Sequence, residues 1–367
     1  MKNTFGNALT VTLFGESHGA YIGATLDGLA PGMSVDADNI RRMLFLRAPR
    51  GNISTARHEA DEVQIVSGVV DGVTTGTSLT LLIQNGDTKS GDYAAMKTVM
   101  RPSHADYPAQ CKYHGFQDTR GGGHFSGRIT AALVAAGAIC HAALQKKGIL
   151  VGTHLSRCAG VSDRAFGDLK ADIETLAEKP FPALCDKAGE SMQQAIAAAG
   201  ADGDSVGGVL ETAVIGLPAG VGEPWFDTVE GVLAHILFSV PAVKGVEFGD
   251  GFALADKRGS EANDAMCYEN GVVTAKTNHG GGIGGGITSG MPLLFRCAVK
   301  PTPSIAKEQE TVDIEKKENA TFAVKGRHDP AVVHRARAVV DAVTAIALCD
   351  LLTVRFGTDF LADKGEA

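Results

Sequence analysis

The chain is poor in the features that mark many specialised protein classes. Charged residues make up 21% of its 367 positions, slightly below the usual share, which excludes a broadly disordered chain. No segment is dense in Lys and Arg and the formal net charge is −8, so a nucleic-acid partner is not expected. The seven cysteines, Cys111, Cys140, Cys158, Cys185, Cys267, Cys297 and Cys349, are odd in number and form neither a CxxC pair nor a Cys/His metal spacing. No metal site is expected, and most of these thiols stand among apolar neighbours as buried reduced side chains do. Residues 1–6 lack the basic-then-apolar pattern of a signal peptide, and no uncharged apolar run reaches membrane-spanning length. These absences predict a cytoplasmic protein without a membrane partner.

What is present is apolar residues and glycine. Hydrophobic residues make up 44%, enough for a full core, and there are 46 glycines clustered in short loops without a repeat. Such glycines suit backbone at positive φ or close approach to a ligand. No Pro/Ser linker or low-complexity tract divides the chain. Residues 10–14 and 24–26 read as strands around a glycine-bounded loop. Asp36 is placed to cap a helix over 37–46, where Ile40, Met43 and Leu44 follow a helical period. Residues 63–70 and 78–83 read as antiparallel strands. Residues 129–146 are apolar nearly all round, the mark of a buried helix. Further strands are predicted over 206–215 and 293–299, and helices over 226–239 and 330–352. The order lacks regular βαβ alternation, which favours an α+β layered fold over a doubly wound parallel sheet. Each half contributes Gly-rich loops, a strand group and an apolar helix, the pattern an internal duplication would leave.

Five polar constellations interrupt this apolar background. Gly15-Glu16-Ser17-His18-Gly19 sets a histidine among small residues after a strand. It is not a GxSxG elbow, because the serine and histidine are adjacent. Arg101-Pro102-Ser103-His104-Ala105-Asp106-Tyr107 reads as an exposed loop or as a second histidine beside a phosphate-competent arginine. Arg120-Gly121-Gly122-Gly123-His124-Phe125-Ser126-Gly127-Arg128 leads into the buried helix, where glycine N–H groups could face an anion. A glycine-dense run over 278–286 is followed by Lys300-Pro301-Thr302-Pro303-Ser304. In Lys325-Gly326-Arg327-His328-Asp329-Pro330, Asp329 reads as a helix N-cap with Pro330 at the first helical position. No loop has the strand, GxGxxG and helix arrangement of a dinucleotide fold. The residues alone point to phosphate and carboxylate chemistry in a glycine-lined cleft.

In order along the chain, these motifs resemble chorismate synthase. So do 68–76, Asp204-Ser205-Val206-Gly207-Gly208, Val243-Lys244-Gly245-Val246-Glu247 and Gly249-Asp250-Gly251-Phe252. The resemblance runs from about Phe5 to Leu352 and implies a single domain, 1–367, with helices sandwiched between β-sheets. It implies a 1,4-anti elimination in which 5-enolpyruvylshikimate 3-phosphate loses its phosphate and a C6 hydrogen to give chorismate. It also implies reduced FMN with no net redox change, and a homotetramer. His18 would protonate the leaving phosphate, His104 would lie by the flavin, and Asp329 would assist hydrogen removal through flavin N5. Arg47, Arg101, Arg128 and Arg327 would clamp anionic groups, the planar fork suiting bidentate contact. His124, Phe125, Ser126, Pro241, Ala242, Gly285, Lys300, Pro301, Thr302, Pro303, Ser304 and Arg327 match FMN-contacting stretches of the family.

The chain departs from the family pattern at several points. An arginine triplet becomes Leu46-Arg47-Ala48, with Arg50 and Arg57 as candidates for a further arginine. Arg-Ser-Ser becomes His124-Phe125-Ser126, Arg-Glu-Thr becomes Arg128-Ile129-Thr130, and Asn-Ala becomes Pro241-Ala242. The changes at Phe125 and Ala48 motivate a second reading, a flavin- or phosphate-binding homologue that has lost catalysis. Some family members reduce their flavin with NADPH and others take it reduced from outside. No inserted flavin-reductase segment is seen here, which favours the outside source.

Overall fold

The computed structural model describes residues 2–55, 60–86, 98–324 and 329–363. Two five-stranded antiparallel sheets enclose long buried helices, an α+β sandwich. The first sheet runs in spatial order Thr4–Phe5, Thr10–Gly15, Tyr21–Asp27, Leu79–Gln84 and Val63–Ser67. In Leu79–Gln84 the buried residues Leu79, Leu81 and Ile83 alternate with less buried neighbours, as a strand with one core face requires. The second sheet runs Val243–Phe248, Leu293–Val299, Gly208–Ile215, Leu150–Cys158 and Val161–Ser162. Each sheet is followed in the chain by a long helix, Thr130–Lys146 after the first and Val333–Phe356 after the second.

These two helices pack directly on each other. A Cβ on Gly137 would stand 2.4 Å from Ala342 Cβ, so the approach depends on a missing side chain. Because neither helix has a solvent face, both carry alanine, valine and leucine on every side. Helices Ala37–Arg47 and Val229–Ser239 complete the filling, and residues from both sheets join one continuous core. Among the described residues, one stretch, Gly127–Lys146, is long and apolar enough to cross a membrane. Arg128 and Lys146 stand near its ends, so its uncharged part is shorter. It is nearly all buried inside the fold, as a core helix is.

Several local expectations meet the structure. Asp36 caps Ala37–Arg47, accepting from the N–H groups of Asp38 and Asn39 at 2.8 and 3.2 Å. The strands at 63–67 and 79–84 pair antiparallel. Others shift. The C-terminal helix begins at Val333 with Val332 at its cap position and no side-chain cap, so Asp329 is not the N-cap and Pro330 is not the first helical residue. The Pro330 carbonyl instead accepts from Val206 N–H at 2.8 Å. That bond takes Val206 out of the ladder, and its strand begins at Gly208. The helix expected from 226 starts at Val229, where Thr228 Oγ1 accepts from Gly231 N–H at 2.9 Å. Helices Leu169–Glu178 and Asp186–Ala201 were not anticipated.

Candidate active site

A cavity of about 1100 Å³ opens where the first sheet meets the ends of three helices. Val11 and Leu13 of the sheet, Leu133 of the Ala-rich helix, Ile236 of Val229–Ser239 and Val339 of the C-terminal helix form apolar wall. Around this wall stand Lys2, Arg47, Arg101, Arg128, Lys244, Lys300 and Arg335, against the carboxylates of Asp61 and Asp329. A chain of net charge −8 thus concentrates cations in one cleft, which draws in anions.

His18 reaches the cavity from the loop after Thr10–Gly15 and is mostly buried. Its loop is pinned by Asn85, whose amide donates to the carbonyls of Glu16 and Gly19 at 3.0 and 2.8 Å. Ser17 N–H donates to Gly123 O at 3.1 Å. Gly121, Gly122 and Gly123 all have positive φ. Unlike His124 to Arg128 of the same segment, they are not in the cavity wall. Their absent side chains make room for histidines: a Cβ on Gly121 would stand 2.5 Å from His18 Cδ2, and one on Gly122 would stand 3.5 Å from His104 Cε1. His124 donates from Nδ1 to Gly15 O at 2.8 Å, which leaves its Nε2 free of that bond.

Residues 101–107 are not an exposed loop. Arg101 is buried, and helix Asp106–Tyr113 begins inside the motif. The Asp106 carboxylate receives Arg101 Nε and Nη2 at 2.7 Å each and lies 2.7 Å from His104 Nδ1. Burial by itself would raise the Asp106 carboxyl, but the hydrogen bonds from Arg101 and His104 hold it well below the usual range. Lys300 Nζ donates to Ser103 O at 2.6 Å. Burial, helped by the nearby Lys244 charge, lowers its ammonium from the ordinary value.

Arg47 and Arg128 share one counter-charge. Arg128 Nη1 binds Asp61 Oδ1, and Arg47 Nη1 lies 3.6 Å from Asp61 Oδ2. Arg128 Nε also donates to Asn85 Oδ1 at 3.0 Å, and Arg47 Nη2 donates to Gly127 O at 2.7 Å. The two guanidiniums are therefore held before any ligand arrives. Arg50 turns elsewhere, its guanidinium 3.2 Å above the Phe45 ring. Asp329 binds Arg335 through Oδ2, while its Oδ1 is buried without a hydrogen-bond partner among the described residues. A buried acceptor without a donor is costly and calls for an explanation.

The family model of chorismate synthase matches residues 9–353. The chain belongs to the chorismate synthase family. It is 45% identical to a chorismate synthase of Thermococcus gammatolerans, over 95% of this chain and 97% of the relative. It is 44% identical to one of Archaeoglobus fulgidus, over 96% of this chain and 98% of that one. A crystal structure of chorismate synthase superposes with a TM-score of 0.76 at 28% identity, covering 96% of this chain and 94% of the other. The enzyme class is that of a lyase acting on a phosphate.

Within this chorismate synthase fold, the cavity gathers most of the residues named from sequence. His18, His104 and Asp329 line it together with Arg47, Arg101 and Arg128. So do His124, Phe125, Ser126, Pro241, Ala242, Lys300, Thr302, Pro303 and Ser304. Pro301 and Gly285 do not line it. Gly285 sits at φ 62° in a glycine-rich turn with open space where a Cβ would be, between Gly281, which packs against the Gly249 backbone, and Gly286, which packs against the Thr228 side chain. Arg327 and Arg57 lie outside the described residues. Four residues escaped the sequence reading. Asp61 bridges Arg47 and Arg128, Asn85 ties Arg128 to the His18 loop, Arg335 holds Asp329, and Asp106 joins Arg101 to His104. Only Asp106 carried a local signal, a carboxylate two residues beyond a motif histidine. Arg335 stands six residues from Asp329, and the pairings of Asp61 and Asn85 join segments that only the fold brings together.

Proposed function

We propose that the cavity takes 5-enolpyruvylshikimate 3-phosphate together with reduced FMN, and that the chain uses it for the 1,4-anti elimination that yields chorismate and phosphate. The observation that carries this reading is the convergence of His18, His104 and Asp329, from three distant segments, on one cation-rich cavity. The volume of about 1100 Å³ exceeds the roughly 300–1,000 Å³ of most single-ligand pockets, as a site for two ligands needs. The described residues also fit a flavin nucleotide. An apolar wall of Ile129, Leu133 and Val339 suits a ring system, and Lys300, Thr302 and Ser304 suit a phosphate. When bound, reduced FMN supplies transient electron donation that eases loss of an allylic phosphate.

The chain's own residues do the rest. Arg47 and Arg128, held by Asp61, and Arg101, held by Asp106, present pre-set forks to phosphate and carboxylates, so little reorganisation is needed when the anion arrives. His18 delivers a proton to the departing phosphate, and His104 would lie by the flavin and supply a proton or positive charge to its ring. Asp329, whose Oδ1 is buried beside the cavity without a hydrogen-bond partner among the described residues, would assist removal of the C6 hydrogen at the flavin N5 position. Nothing in this geometry favours the reading of a catalytically lost homologue.

Further parts of the proposal rest on the rest of the chain. The continuous core through both sheets supports one domain, 1–367. All seven cysteines are free thiols, four of them buried, which supports a cytoplasmic, reducing setting. Trp225, Phe226, Phe252, Met266 and Tyr268 are large apolar side chains left at least 79% exposed, which supports a homotetramer that covers them. The test of activity is anaerobic: purified protein, substrate and chemically reduced FMN, with phosphate and chorismate measured. Bound flavin without phosphate release overturns the proposal. Repeating the assay with NADPH as sole reductant separates self-reduction from the outside source we favour.

A further inference from the structure

One carboxylate organises two residues that face the cavity. Asp106 accepts from Arg101 Nε and Nη2 at 2.7 Å each and from Arg101 N–H at 3.1 Å. The same carboxylate lies 2.7 Å from His104 Nδ1. All three side chains are at most 18% exposed, so water competes little for these bonds. Asp106 opens helix Asp106–Tyr113, where the helix dipole favours a negative charge. An ionised carboxylate only accepts, so His104 Nδ1 must carry the hydrogen. Its Nε2 is then the nitrogen left for a ligand. Gly122 closes the other side, its missing Cβ pointing 3.7 Å from both His104 Nε2 and Arg101 Nη2.

We propose that Asp106 is a positioning residue, holding the His104 imidazole in its Nδ1–H form and the Arg101 fork in one plane, so that a ligand meets both as one preorganised unit. This rests on the reading of His104 and Arg101 as site residues. Asp106 need not touch substrate or cofactor itself. Its effect passes through the tautomer of one neighbour and the orientation of the other, as a buried carboxylate orients a catalytic imidazole.

The decisive measurement is long-range ¹H–¹⁵N NMR of histidine-labelled protein without ligand, with His104 assigned from a His104→Gln spectrum. Neutral His104 in the wild-type protein should carry its proton on Nδ1. In Asp106→Asn, the amide oxygen goes to Arg101 and the amide N–H faces His104, which moves the proton to Nε2. Turnover of that variant should fall on the order of 10²-fold or more, with substrate KM and oxidised-FMN affinity changed less than about threefold. Asp106→Glu should restore the Nδ1–H form and part of the turnover. An Nε2–H form in the wild type overturns the proposal, as does an Asn variant with unchanged tautomer or turnover. Should the Asn variant fail to fold, the wild-type tautomer decides alone. A folded wild type that makes no chorismate would overturn the functional reading and leave the tautomer result standing.

Discussion

Gly121 and His18 are packed so closely that the glycine is a condition of the histidine's place. A Cβ at position 121 would stand 2.5 Å from His18 Cδ2, 2.6 Å from Nε2 and 2.9 Å from Ser17 Oγ. Gly121 also sits at φ 59°, where a side chain costs about 1–2 kcal/mol. Gly121→Ala is expected to push the imidazole out of the cavity. Turnover should fall about 10²-fold, with stability lowered by the cost of the left-handed backbone. Steady-state kinetics and urea unfolding check both parts.

His18→Ala should lower turnover about 10²- to 10⁴-fold, the range of a lost general acid. Its effect on flavin affinity should be much smaller. Equilibrium titration with FMN beside the kinetic assay decides this, and a comparable loss of flavin binding places His18 elsewhere in the reaction.

Asp329 no longer carries a cap, so its variants report on Arg335 and on proton transfer. The pair is largely buried, at 12% and 13% exposure, and Arg335 Nε has no hydrogen-bond partner among the described residues. Asp329→Ala leaves that guanidinium uncompensated and should cost about 3 kcal/mol, with loss of turnover. Asp329→Asn keeps an oxygen for Arg335 and should recover much of the stability but not the rate. A fully active Asn variant would remove Asp329 Oδ1 from the chemistry.

Two buried histidines make the fold acid-sensitive. Burial pushes His141 and His334 down from 6.5 to about 4. The unfolded chain therefore takes protons that the folded chain refuses. The stability each contributes is complete above the unfolded value of 6.5 and is lost as pH falls from there toward 4, up to about 3 kcal/mol per group. Asp341, pushed up to about 6 by burial, works in the opposite direction between its ordinary value and 6, but it is one group against two. Thermal unfolding followed from neutral pH downward should show a falling midpoint. His141→Gln should flatten the fall.

Gly137→Ala should wedge the two central helices apart. The new Cβ would meet Ala342 at 2.4 Å from Cβ, 2.6 Å from Cα and 2.7 Å from the carbonyl oxygen. Overpacking of this kind costs about 1–3 kcal/mol. Adding Ala342→Gly should recover only part of it, because two of the three contacts are with backbone. Denaturant midpoints of the single and double variants test this, and full recovery would show that only the Cβ contact matters.

Much of the fold was legible where local physics dominates. Asp36 announces its helix because an N-cap acts within three residues, and the Ala-rich helix announces its burial because no polar face interrupts it. The strands at 63–67 and 79–84 were legible because glycine turns bracket β-branched runs. Asp329 misled for the same reason: Asp-Pro before an apolar helix is a strong local signal. A partner six residues ahead, Arg335, and a carbonyl bond from Pro330 to Val206 outweighed it.

The sequence by itself determined the family, because ordered motifs over nearly the whole chain specify it, and it determined which residue types the site would use. Only the tertiary structure decided how they are held. Gly121 and Gly122 leave the room that His18 and His104 occupy. Arg47 and Arg128 were named from the chain, but Asp61, which holds both, was not. Such pairings join atoms from segments far apart in sequence, and neither periodicity nor spacing records which distant side chain comes within 3 or 4 Å of another.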